Sequence, residues 1–449
     1  MSSASPTVDE RTGAGTSSLA RIATLIFLVG VATVPFMQPL TLKVLGSAVQ
    51  PSDAIFALAG AAWLVAALTG ALPLRKGRFY VFLGAYYGAA LLATAVAPSR
   101  SLGRVVIETY LLGLGFLAYN FVRDLASARR TLTVWIGSAS FTAVAILVSC
   151  VLFYAIGLKD TAKNLILWKA GSLPVGNYPR VRGFFLNGNM TGNYLAVSAC
   201  LAYGFAALSK DPKHRRLAFW AALAITAAAL PTLSSALGGL AIAIGMFAWL
   251  YQRRAEGQSG AEGQSGAESG ILKSKAMKAL LPLAGVFALL LGLFTAGYPK
   301  RTDAGIVVEP SPRWLTWNSS WGSFLKHPIF GNGLGVELAD VYYDAPRGVH
   351  EHLTDPHNAW LSVAGQMGLV GFAAWIALLV YFARGARPLT MTGDAKAVLR
   401  TALFGVWIVV VYQAFSCSLE DMRHVWLAFG MLGGVIDSEL EKPRAVAGA

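Results

Sequence analysis

The sequence predicts an all-α polytopic membrane protein, with about twelve transmembrane helices and a large external loop carrying short helices between spans nine and ten. Three observations predict it. The 449 residues are 55% hydrophobic and only 13% charged, where a soluble chain is nearer a quarter charged. The apolar residues come in runs of about 18 or more, the length that crosses a bilayer as a helix. Lys and Arg gather in alternate connecting segments, as they do in cytoplasmic loops. That bias accounts for the net charge of +14 through the membrane, and nucleic acid is not an expected partner.

Residues 1–18 are small and polar and read as a disordered cytoplasmic N-terminus. The apolar run after Arg21 lacks a small-residue cleavage site and reads as a retained first span. Residues 19–251 hold the first eight spans, near 19–37, 53–74, 79–97, 105–122, 131–157, 188–208, 217–233 and 235–251. The Arg75-Lys76-Gly77-Arg78 cluster, Arg129-Arg130 and the Lys210–Arg216 segment then fall on the cytoplasmic side. Residues 252–278 form a flexible cytoplasmic linker, whose stretch AEGQSGAEGQSGAESG is a tandem Gly/Ser-rich duplication. A ninth span covers 279–297, and the long external loop runs over 298–357. The last three spans, near 358–383, 397–416 and 424–439, fill 358–439, and 440–449 is a cytoplasmic tail. Cys150, Cys200 and Cys417 lie in or beside apolar segments and form no ligand-like pair. They indicate neither a disulfide framework nor a zinc site.

The spans are almost free of ionisable residues, with Glu108 near the outer start of span four as the clearest exception. Proton-coupled carriers place acids or basic relays inside the membrane. Their scarcity argues against such a carrier, though not against a flippase. Polar capacity gathers on the outer face instead. The loop before span six ends in Tyr178-Pro179-Arg180-Val181-Arg182-Gly183-Phe184-Phe185, followed by Asn187 and Asn189. The planar fork of Arg suits bidentate recognition of phosphate; anchoring to lipid headgroups is the alternative for Arg180 and Arg182. In the second long loop, Ser311-Pro312 starts a helix with Trp314, Trp317, Trp321 and Phe324 at helical spacing, and His327-Pro328 ends it. Such a stripe suits a helix in the membrane interface or one packed on the bundle. Arg313 heads that helix, either as an interfacial anchor or as an anion-binding group. Gly331, Gly333 and Gly335 then permit a tight turn.

Asp355-Pro356-His357-Asn358 joins this polar loop to the apolar run after it. Asp355 has the chemistry of an N-cap and Pro356 that of a first helical residue. His357 and Asn358 then fall in the first turn, where the helix dipole disfavours a protonated imidazole. His357 is therefore expected to be able to accept a proton; a helix-start histidine bonded to a backbone carbonyl is the plain alternative. His350, Glu351 and His352, with Asp355 and His357, raise the question of zinc. Their spacing fits no helical ligand motif, and neither metal nor cofactor is expected.

Taken together, three features resemble the O-antigen ligase and polymerase superfamily of bacterial membrane glycosyltransferases. They are Arg182-Gly183-Phe184-Phe185 with Asn187 and Asn189; Arg313-Trp314-Leu315 leading to His327-Pro328-Ile329-Phe330-Gly331-Asn332-Gly333; and His357-Asn358 followed after nine residues by Gly368-Leu369-Val370-Gly371. The last is similar to the His-Asn-x9-Gly-x-x-Gly pattern of the ligase branch. The resemblance implies a GT-C-like fold in the inner membrane, with its active site facing the periplasm. It implies inverting, metal-independent transfer of a polysaccharide from undecaprenyl pyrophosphate to lipid A-core. By resemblance, Arg182 and Arg313 hold the pyrophosphate, His357 serves the acceptor hydroxyl, and Asn358, Asn187 and Asn189 support them. Many members carry Ser-Arg in the turn between spans seven and eight; this chain has Ser234-Ser235 there, which brings Arg180 in as a substitute. Several members also have a Glu near Gln366 or Met367, which is absent here. The alternatives are a polymerase of the same superfamily and a lipid-linked oligosaccharide flippase.

Overall fold

The computed structural model describes residues 17–37, 42–44, 47–97, 102–157, 168–170, 179–208, 211–259, 297–302, 305–345, 349–386 and 395–438. Most of them are helical. In chain order the helices are α1 (Ser18–Thr33), α2 (Pro51–Leu68), α3 (Phe79–Val96), α4 (Leu102–Phe121), α5 (Leu125–Cys150), α6 (Gly188–Leu208), α7 (Pro212–Ala229), α8 (Ala236–Ser259), α9 (Pro312–Lys326), α10 (Ala359–Ala386), α11 (Ala395–Gln413) and α12 (Arg423–Asp437). Among the described residues, α2, α3, α4, α5 and α10 are long and apolar enough to cross a membrane. Shorter apolar helices cover Ser18–Thr33, Ala236–Phe247 and Leu399–Gln413. The expected ninth span lies outside the described residues. So does the linker beyond Ser259, and α8 runs on into the linker's first residues.

The core is apolar and aromatic. α12 is buried from His424 to Asp437 and packs along α4. Gly430 makes this approach possible, since a Cβ there would stand 2.1 Å from the Gly115 carbonyl oxygen. Small residues set such close helix crossings in apolar surroundings. Beside it, Trp426 meets Trp375 edge-on at 6.1 Å, and Phe382 meets Phe429 at 4.5 Å. α6 packs against α7 and α11, and α10 against α3.

Strands are the first departure from an all-α expectation. Four antiparallel hairpins pair β1 (Leu42–Val44) with β2 (Ser47–Val49), β3 (Trp168–Ala170) with β4 (Pro179–Val181), β5 (Gly297–Thr302) with β6 (Gly305–Pro310), and β7 (Val341–Ala345) with β8 (Val349–Leu353). All four lie in connections. The long loop between 298 and 357 thus holds two hairpins as well as the helix α9. The expectation of nearly uncharged helices also needs correction. Asp53, Arg423, His424 and Asp437 all lie in helices and are mostly enclosed, like Glu108, because each sits near a helix end where a distant partner reaches it. Arg423 grips both carboxyl oxygens of Asp53 at 2.7 and 2.9 Å, and the Tyr110 hydroxyl donates to the same group at 2.7 Å.

Candidate active site

The segment Asp355–Asn358 departs from the expected helix start. His357 has φ +48°, a left-handed conformation incompatible with a helical turn. The helix α10 begins at Ala359, and Asn358 is its cap: its side-chain oxygen accepts from Leu361 N at 3.1 Å and its carbonyl from Ser362 N at 2.8 Å. Asp355 instead accepts the backbone N–H of His357 at 2.7 Å, the two-residue turn that Asp side chains favour. The sequence predicts Asp355 as the cap with Pro356 as first helical residue; the Asp turn takes up the Asp355 carboxyl instead, and the helix starts three residues later than expected. His357 therefore stands just outside the helix, about half exposed, with Nδ1 3.6 Å from a carboxyl oxygen of Asp355. The Ser418 hydroxyl donates to the other carboxyl oxygen at 2.9 Å. Burial alone would raise the Asp355 carboxyl. The contacts from His357 and Ser418 outweigh it and hold this group below the usual carboxylate range.

The loop from Gln413 to Ser418, between α11 and α12, joins the parts of the site. Ala359 N donates to the carbonyls of Ala414 and Cys417 at 2.7 and 3.1 Å, so the start of α10 is fixed to the loop. Gln413 donates to the Asn189 carbonyl at 3.2 Å and to the Ser234 hydroxyl at 3.1 Å. Its side-chain carbonyl accepts from Asn193, which in turn meets His424 Nε2 at 2.6 Å. Ser416 bonds Ser235. The Ser234-Ser235 turn thus spends both serines on this loop. Short and polar though it is, the loop shows no motif, and its role rests on partners far away in sequence.

The two arginine stretches reach this loop from different sides. Thr191, in the first turn of α6, donates to the carbonyl of Arg182, and the same turn reaches Gln413 through Asn189. Arg182 Nε is buried with no partner, and its guanidinium makes no hydrogen bond or ion pair among the described residues. Arg313 lies in the first turn of α9 behind the cap Ser311, which accepts from Trp314 N at 3.1 Å. Its guanidinium likewise makes no hydrogen bond or ion pair among the described residues. Burial pushes Arg313 below the usual arginine range, partly offset by the Cys417 thiol. Trp317, one turn on, donates to the Pro356 carbonyl at 2.9 Å and couples α9 to the His357 segment. Trp314 and Trp321 face outward while Phe324 is buried, so the aromatic stripe serves both surfaces at different turns.

The supporting asparagines are mostly architectural. Asn187 caps α6, accepting from Met190 N at 2.9 Å, and Asn189 engages Gln413 through its main chain. Arg180 lies on β4, and its side chain is outside the described residues. His352 bonds Asp340 at 2.8 Å and stacks on Tyr342 at 4.4 Å.

The glycine pattern after His357 has a physical cause. α10 is broken at Gly368, with φ 64° and ψ −164°. The segment His327–Gly333 fills the break. Leu369 N donates to the Pro328 carbonyl at 2.8 Å, while Asn332 N and Gly333 N donate to the carbonyls of Gly365 and Gln366 at 2.9 and 3.0 Å. Irregular backbone inside a bundle needs such partners. A Cβ at Gly368 would stand 2.3 Å from the Ile329 oxygen, and one at Gly331 2.3 Å from the Gln366 oxygen.

Residues 217–376 match the family model described as O-antigen ligase. The match runs from α7 into α10, and so includes Arg313, the His327–Gly333 segment, His357 and Gly368. No curated protein matches the chain.

Proposed function

We propose that this chain, whose residues 217–376 match the O-antigen ligase family model, is a membrane glycosyltransferase of that superfamily. It moves a polysaccharide from undecaprenyl pyrophosphate to lipid A-core or a related glycan acceptor. The chain crosses the bacterial inner membrane about twelve times, and the ends of α2, α4, α6, α10 and α12 that begin these helices face the periplasm. The observation that carries the reading is two arginines, Arg182 and Arg313, without partners among the described residues and tied to the same loop as a half-exposed histidine. Buried polar atoms are nearly always satisfied, and the Nε of Arg182, without a partner among the described residues, suits a phosphate oxygen.

The chemistry then needs no nucleotide. The acceptor hydroxyl gives its proton to His357 Nε2 as its oxygen bonds the anomeric carbon from the face opposite the leaving group. The bond from that carbon to the pyrophosphate oxygen breaks, and its electron pair departs on the lipid pyrophosphate. Arg182 and Arg313 stabilise the negative charge gathering there, as fixed donors do in a site of low dielectric. His357 later releases its proton to solvent. Arg180 supplements the two arginines, and Asn358 fixes the helix start beside the histidine.

The test uses the purified full chain with undecaprenyl-pyrophosphate-linked glycan and lipid A-core, products being resolved by mass. A covalent glycan–core product is expected. Extension of one lipid-linked glycan by another would make the protein a polymerase instead. Movement of donor across vesicles without any covalent product would make it a flippase.

A further inference from the structure

The backbone of His357 is held where a residue with a Cβ pays strain, and three contacts hold it there. The Asp355 carboxyl accepts the His357 N–H at 2.7 Å. Ser418 bonds that same carboxyl at 2.9 Å. The Trp317 indole fixes the carbonyl of Pro356, between the two, at 2.9 Å. Strain retained under such restraint clusters at working sites. The restraints come from three elements distant in sequence: α9, the His357 segment itself, and the loop before α12. A histidine that only filled space would need none of them, and this one is about half exposed.

Resting on the reading of His357 as the acceptor base, we propose that Asp355 is its positioning residue. The carboxylate faces Nδ1 at 3.6 Å, selects the tautomer that carries its proton there, and leaves the Nε2 lone pair toward the acceptor. As the acceptor proton arrives on Nε2, the ring becomes an imidazolium whose charge the adjacent carboxylate stabilises. Ser418 holds the carboxylate in that orientation. Asp355 touches neither sugar nor pyrophosphate; it acts through the ring. The Asp turn explains why the carboxylate lies two residues before the histidine, a spacing that a helical first turn would not bring together.

Asp355→Asn separates charge from shape. Asparagine forms the same turn and still accepts from Ser418, but carries no negative charge. With lipid-pyrophosphate glycan and lipid A-core as substrates, kcat is expected to fall by about tenfold or more. The donor KM and the thermal midpoint should stay at their wild-type values. Asp355→Ala, which loses turn and charge together, should fall further and also lose thermal stability. Combined with His357→Ala, Asp355→Asn should cause no added loss. Wild-type kcat in Asp355→Asn, with loss only in Asp355→Ala, would make Asp355 a turn former and overturn the inference while the base assignment stands. Wild-type kcat in His357→Ala would overturn the base assignment and this inference with it.

Discussion

α12 runs between two polar clusters, and they are built in opposite ways. At its end, the Asp437 carboxyl accepts from the Tyr119 hydroxyl at 2.8 Å, the Phe79 N–H at 3.1 Å and the Tyr381 hydroxyl at 2.9 Å. Arg75 lies over the Tyr119 ring at 4.8 Å and donates to the Val122 carbonyl at 2.7 Å. These bonds join α3, α4, α10 and α12 inside a buried cluster whose carboxyl oxygens both have partners. Ahead of the start of α12, the loop with Ser418 meets the His357 region, which has half-exposed side chains and two guanidiniums without partners among the described residues. A closed polar cluster fixes helices against one another; on the proposed reading the open one keeps its donors for the lipid pyrophosphate. The difference separates structural from functional polarity better than burial or charge does, since both clusters contain arginine and aspartate.

The sharpest way to break this comparison is to remove one residue from each cluster. His357→Ala should lower transfer by about 10²- to 10⁴-fold, the usual worth of a positioned base, with an unchanged thermal midpoint. Asp437→Ala should do the reverse. It strands the Tyr381 hydroxyl and the Phe79 N–H in the core, each costing about 1–3 kcal/mol, while the Tyr119 hydroxyl keeps the Lys76 carbonyl at 3.1 Å. Folded yield and thermal midpoint should drop while activity per folded molecule stays near wild type. If Asp437→Ala instead lost activity at full stability, the two clusters would not differ in kind.

Gly368 tests the region between them. At φ 64° and with the Ile329 oxygen 2.3 Å from a would-be Cβ, Gly368→Ala should cost about 1–3 kcal/mol. It should also disturb transfer, because the His327–Gly333 segment it would displace follows α9, which carries Arg313 and holds Pro356. Limited proteolysis within 327–335 should quicken. Unchanged cleavage would show that the junction tolerates the side chain.

Much of this was legible in the residues. Apolar runs gave most of the helices, and Ser311-Pro312 gave the start of α9. What was illegible depended on distance along the chain. Asp355 read as a cap because Asp-Pro before an apolar run is a sound local signal; its turn and its bond to Ser418 are decided by the tertiary fold. The Arg423–Asp53 pair joins residues near opposite ends of the sequence, and no spacing rule reaches so far. Gly368 and Gly371 were visible as a pattern, but its cause was not. The break at Gly368 exists because His327–Gly333 inserts there and supplies the missing backbone partners. The hairpins escaped notice because short strands in connections carry little apolar periodicity.

The arginines give the smallest expected effects and the finest discrimination. On the proposed reading each would supply charged hydrogen bonds to the donor, worth about 1.5–3 kcal/mol, so Arg182→Ala and Arg313→Ala should each raise the donor KM or lower kcat/KM for donor by about tenfold or somewhat more. The acceptor KM should be unchanged. Lysine separates charge from geometry: Arg182→Lys keeps the charge but lacks the planar fork. If Arg182 grips phosphate through paired N–H groups, lysine should restore only part of the loss. Arg313, burdened by burial, should be less tolerant still, because the more strongly hydrated ammonium suits that position poorly. Full recovery by lysine at both positions would reduce them to a diffuse positive field. Equal loss for donor and acceptor would place them on the glycan rather than on the pyrophosphate.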